Sequence, residues 1–282
     1  MKNNQLSKAV SQLSWRLAPT FFEGRGAKPL LEIYRAQSKE NTYLNRFVYD
    51  ELTQTAKGSS TLMSARLDSI LQPLGLGIAT LSELYSPEVR AKLQGKFYSD
   101  PAALVLRGAE NKGNSRNTSF IKQLTELVEE ANGNLVFPLL ITGFDVSPTK
   151  DAGYNLQIVK GKDFKAISSD RFKGENHGKK FSQVDELGPI FSKDGKFTLY
   201  ANDKATLSRL VVDSYGDLYS DDDGVGYSDG DGRVVVVPRE ASAQILEASF
   251  EELQRIRNED IQKVNSAFVE AEKTYRDALA KK

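Results

Sequence analysis

The 282-residue chain contains no cysteine. That excludes disulfides, zinc–thiolate sites, iron–sulfur clusters and a cysteine nucleophile. It contains a single histidine, His177. Ser-His-Asp catalysis or a histidine metal cluster would depend on it, and both need oriented partners. The surrounding "KGENHGKK" is rich in Gly, Asn and Lys and reads as an exposed loop, so neither is expected. An excess of one charge is also missing. Lys plus Arg is 38 and Asp plus Glu is 38, a net charge of zero. A general coat for nucleic acid would be basic. No run approaches the roughly 18 apolar residues of a membrane-spanning helix. "MKNNQLSKAVSQLSWRLAP" lacks the continuous apolar stretch of a secretory signal. The expected location is the cytoplasm, or a particle assembled there, with no membrane partner.

Phosphate-binding loops fail on spacing. "EGRGAKPLLE" lacks the G-x-x-x-x-G-K-[ST] order, and "PLGLGIATL" has Thr80 where a third glycine is needed. Both read as turns. Carboxylates are abundant, but nothing singles out a catalytic pair. The expectation is therefore a protein that is not an enzyme.

What is present is an ordinary folded composition, 39% apolar and 27% charged, with room for a sizeable core. The periodicity changes twice, which predicts an α+β protein in three parts. Residues 1–132 read as a helical region. Leu6, Val10, Leu13 and Leu17 form one stripe, ended by Pro19. Leu44, Phe47, Val48 and Leu52 form a second, ended at Lys57-Gly58. Met63, Leu67, Ile70 and Leu71 form a third, starting near Ser60 and ending before Pro73. "NTSFIKQLTELVEEANGN" is the best helix, with Phe120, Ile121, Leu124, Leu127 and Val128 on one face and Asn117 or Thr118 as its cap.

Residues 133–238 read as an antiparallel β domain, a barrel or sandwich, from short segments such as "NLVFPLLITGF", "YNLQIVKG", "KFTLYA" and "LSRLVV" between turn signals. "RVVVVP" closes the series. Four successive valines cannot alternate between core and water, so Val234–Val237 should be covered on both faces. Residues 239–282 read as a long C-terminal helix packing on the N-terminal region or on a partner. Ile261, Val264, Phe268, Ala271 and Tyr275 give it a partial heptad seam.

Two constellations carry candidate chemistry. In the β region, lysines and arginines interleave with phenylalanines: Lys162, Phe164, Lys165, Arg171, Phe172, Lys179, Lys180 and Phe181. A barrel face of this kind stacks bases on its rings and holds the backbone with its cations. The simpler reading turns the rings to the core and leaves the lysines in water. The second is "YSDDDGVGYSDGDG". Asp221, Asp223, Gly226 and Asp229 match positions of an EF-hand loop, but Val225 and Gly232 replace two ligands, and the flanks read as strands. A looser calcium site using Asp221, Asp223, Asp229 and Asp231 competes with a solvated Asp/Gly turn.

Function is expected to be that of a non-enzymatic structural or protein-interaction protein, self-associating or part of a larger assembly such as a viral particle. A single-stranded nucleic-acid-binding barrel is the alternative, and calcium binding through the loop is the third. No cofactor is expected beyond that calcium.

Overall fold

The computed structural model describes residues 18–24, 26–132, 136–150 and 153–239. The stripe from Leu6 to Leu17 and the expected C-terminal helix lie outside the described residues.

Among the described residues the first part is not a helical region, because strands alternate with its helices from Thr20 on. Strand β1 (Thr20–Phe21) precedes helix α1 (Ala27–Ser38), and β2 (Val48–Asp50) and β3 (Thr55–Lys57) form a hairpin. The stripe of Leu44, Phe47, Val48 and Leu52 is thus no helix. Leu44 and Phe47 are buried, but Val48 is exposed and Leu52 is 98% exposed at the hairpin tip. The Asp50 carboxylate bends the chain there by accepting the amides of Leu52 at 3.0 Å and Thr53 at 3.2 Å. Helix propensity loses to this local capping.

Helix α2 (Thr61–Leu71) forms as its pattern predicts, with the Ser60 hydroxyl accepting the Met63 amide. A turn leads to β4 (Leu76–Ile78), short helices α3 (Leu81–Leu84) and α4 (Pro87–Leu93), β5 (Ala103–Leu106) and helix α5 (Thr118–Asn132). Phe120, Ile121, Leu124 and Val128 of α5 are buried as the stripe requires. Asn117 does not cap this helix with its side chain. Its amide donates to the carbonyls of Leu207 and Asp223, and its oxygen accepts the Tyr154 hydroxyl.

The remaining strands are β6 (Leu139–Pro148), β7 (Leu156–Ser168), β8 (Lys180–Asp185), β9 (Gly188–Phe191), β10 (Phe197–Tyr200), β11 (Leu207–Arg209), β12 (Val211–Val212), β13 (Leu218–Tyr219) and β14 (Val235–Pro238). They do not make a barrel or sandwich of their own. They enter several small open sheets, two of which also take strands from the first part of the chain: β1–β14–β4 and β11–β5–β6–β7. A third sheet, β12–β13–β10–β8–β9, is mixed, since β10 and β13 run parallel. A barrel needs a continuous staggered ring of pairings, and among the described residues each sheet keeps an open strand order whose first and last strands do not pair.

Two cores result. Val234 and Val236 face one, with Leu104, Leu106, Leu139 and Ile141. Val235 and Val237 face the other, with Ala103, Val105 and Leu140. The four valines are at most 2% exposed, so the strand is covered on both faces. The covers are two cores.

Candidate functional site

The structure scatters the lysine–phenylalanine constellation. Phe172 and Phe181 are fully buried in the second core, and Phe164 packs against the first. Buried rings present no face to a base. Lys162 and Lys165 lie on β7, whereas Lys179 and Lys180 belong to the β8 region of another sheet. The Lys179 amine donates to Asn176 at 2.6 Å and the Lys180 amine to Thr198 at 2.7 Å. Arg171 pairs with Asp185. His177 is exposed, its Nδ1 lying 2.9 Å from the Ala201 carbonyl oxygen.

The acidic loop spends three of its carboxylates, Asp222, Asp223 and Asp229, on local architecture. Asp222 accepts the Gly224 amide at 2.7 Å, and Asp223 accepts the Asn114 amide at 2.9 Å. Asp229 accepts the Asp231 amide and the Tyr227 hydroxyl. The carbonyl of Asp221 receives the Asn202 side chain. Among the described residues, no group of three or more His, Asp or Glu side chains is placed to hold a metal ion.

A buried arginine clamps this loop. The Arg209 guanidinium donates to Asp222 at 2.7 Å, to the Tyr227 carbonyl at 3.0 Å and to Asp100 at 3.1 Å. Asp100 is fully buried, and its second carboxylate oxygen has no hydrogen-bond partner. Burial pushes its carboxyl up to about 6, against the pull of Arg209. Burial also works against the Arg209 charge, but Asp100 and Asp222 outweigh it and hold the guanidinium cationic. The loop reaches the N-terminal end of α2, where the Ser59 amide donates to Ser228 and the Gly58 amide to Gly232.

A cleft of about 910 Å³ lies at the other end of that helix, where Asp68, Ser69 and Gln72 line it. Its floor is apolar, built by Leu76, Ile78, Ala79, Pro101, Ala103 and Leu140. Three of the charged groups in its wall are already engaged. Arg239 pairs with Glu83 at 2.6 Å, Asp185 with Arg171, and Asp68 accepts the Ile78 amide at 2.7 Å. Burial raises the Asp68 carboxyl above its ordinary range. Four side chains are different. Lys162, Asp163, Lys165 and Glu186 line the cleft, are exposed, and form no hydrogen bond or ion pair through their side chains among the described residues.

Three of these four sit on or beside a β-bulge. The register of β6 against β7 shifts between Thr142 and Phe144, whose partners are Lys165 and Lys160. Gly143 takes φ +67, and a Cβ there would lie 2.1 Å from the Asp163 carbonyl oxygen. A Cβ on Gly161 would lie 2.2 Å from the Gly143 oxygen. Only glycine permits this crossing, and the extra residues it creates swing out over the cleft. Sequence reasoning did not assemble this site, because its walls come from six separate segments. The available signal was the pair of glycines inside otherwise good strands.

No protein-family model, curated protein or solved structure matches this chain. Among the described residues, no helix is long and apolar enough to cross a membrane.

Proposed function

We propose that this is a non-enzymatic protein-interaction protein, a component of a larger assembly, and that the cleft is where a partner segment docks. The observation that carries the reading is the pairing of an apolar floor with unengaged charges of both signs on a bulged rim. Apolar side chains of a peptide would fill the floor, and its charged side chains would meet Lys162, Lys165, Asp163 and Glu186. A polyanion suits the site less well, because carboxylates share the rim with the lysines.

Selection of a phage-displayed random peptide library on the immobilised protein tests this. Peptides converging on a shared apolar-and-charged pattern are expected, and Ala102→Arg, a substitution at a residue that also lines the cleft, should fill it and abolish their binding. No convergence, or equal enrichment on the filled variant, refutes the reading.

A further inference from the structure

We propose that the occupant of the cleft is the β2–β3 hairpin tip of a second copy of this chain, so that the protein associates head to tail. The inference rests on the cleft being a protein-docking site and names its partner.

The tip is shaped as a knob. Leu52 is 98% exposed, the largest exposure of any large apolar side chain described, and Val48, at the start of β2, is 63% exposed. A lone exposed leucine is unremarked on most surfaces. Here it is held on a stiff turn. The Asp50 carboxylate accepts two amides across it, Gln54 takes a positive φ of 52°, and the Lys57 amine pairs with Asp50 at 2.6 Å. These contacts pull the Asp50 carboxyl down to about 2. A preordered tip loses little freedom on docking.

The chemistry of the tip also matches the cleft. Its sequence, Asp50-Glu51-Leu52, sets an apolar side chain beside acids, while the cleft sets Lys162 and Lys165 beside an apolar floor. Among the described residues Glu51 is bound only to Lys28, across an exposed pair at 2.6 Å. Such a pair is held weakly in water and exchanges readily. Asp163 and Glu186 of the cleft would then face Lys28, released from Glu51, at the hairpin flank.

Placement separates the two contact surfaces within one copy. The hairpin runs through Gly58 straight into the N-terminal end of α2, and the cleft opens at its C-terminal end. Knob and hole are different patches, so each copy can use one with each neighbour.

Sedimentation velocity over a concentration series, at low and at high salt, tests the proposal. The wild-type mass should rise with concentration, less so at high salt. Leu52→Asp alone and the Lys162→Glu, Lys165→Glu pair alone should each weaken association by roughly tenfold or more. Milder Leu52→Ala and Lys162→Ala, Lys165→Ala versions should move the same way, and unchanged thermal unfolding shows that each variant is folded. Adding Glu51→Lys to the charge-reversed cleft should restore part of the association. Mixing the hairpin-defective and cleft-defective proteins should yield a one-to-one dimer and nothing larger, since only one competent knob and one competent hole remain per pair. A wild type that stays monomeric, or association indifferent to both sets of changes, overturns the proposal, as does a mixture that stays monomeric. Peptide selection that still depends on the open cleft would then keep the docking reading while removing the second copy as its occupant.

Discussion

The acidic loop and the cleft sit at opposite ends of α2 and make opposite use of their charges. The loop, 221–232, has the strongest local composition in the chain. Yet the Asp222 and Asp223 carboxylates turn to the fold itself, to an amide within the loop, to Asn114 and to Arg209. The cleft draws on residues that no single stretch advertises, and there the charges of Lys162, Asp163, Lys165 and Glu186 remain unspent. Dense charge in a sequence therefore marks a place where folding must satisfy that charge. Unsatisfied charge brought together from far apart is the better sign of a partner.

The comparison breaks most decisively at Arg209. Arg209→Met should remove about 3–5 kcal/mol of stability, because it leaves Asp100 buried without a counterion. Urea unfolding measures this, and hydrogen exchange should show lost protection across 221–232 with the cleft strands less affected. Equal loss at both ends would show that the two regions are one unit.

Acidity should separate the two ends further. The folded-state value of Asp100 is raised to about 6, above its ordinary 3.8. The folded protein therefore holds this proton more tightly than the unfolded chain. Its contribution is fully present below about pH 3.8 and is lost as pH rises through about 6. The stability difference between wild type and Asp100→Asn should thus shrink by about 2–3 kcal/mol between pH 4 and pH 7 in urea titrations. A constant difference would show that Asp100 titrates normally.

At the cleft, Gly143→Ala should cost about 1–3 kcal/mol, since the positive φ and the approach of Asp163 both exclude a methyl group. It should also abolish association that depends on Lys162 and Lys165. Thermal unfolding and sedimentation read the two effects separately. The smallest effect is expected from Asp231→Asn, within about 0.5 kcal/mol, because this exposed side chain serves neither the clamp nor a cap. A large loss there would mean the loop holds its charge for a further purpose.

How far the sequence could be read follows from the range of the interactions involved. Helices α2 and α5 were legible, because a stripe at helical spacing and a serine cap act locally. The buried valine strand was legible too, since four apolar residues in a row leave only one solution. The β2–β3 hairpin was not. Leu44, Phe47 and Leu52 mimic a helical face by chance, and the decision rests on Asp50 capping its own turn. Sheet closure was also illegible. β14 pairs with β1, 216 residues earlier at Thr20–Val236, and no local pattern encodes that partner. At the candidate site, the simpler reading of the phenylalanines held for Phe172 and Phe181, while Lys162 and Lys165 acquired neighbours from α2, β4 and the turn after β8.

The division of β14 between two cores has a consequence for biosynthesis. Its odd-numbered valines complete one core and its even-numbered valines the other, and it lies at the far end of the described chain. A ribosome releases residues in order, and β1, α1 and α2 emerge long before Val234. Both cores lack their last strand until Pro238 has cleared the exit tunnel. Nascent chains stalled before that point should expose both apolar faces together, and the two cores should then seal in one step when the last strand arrives.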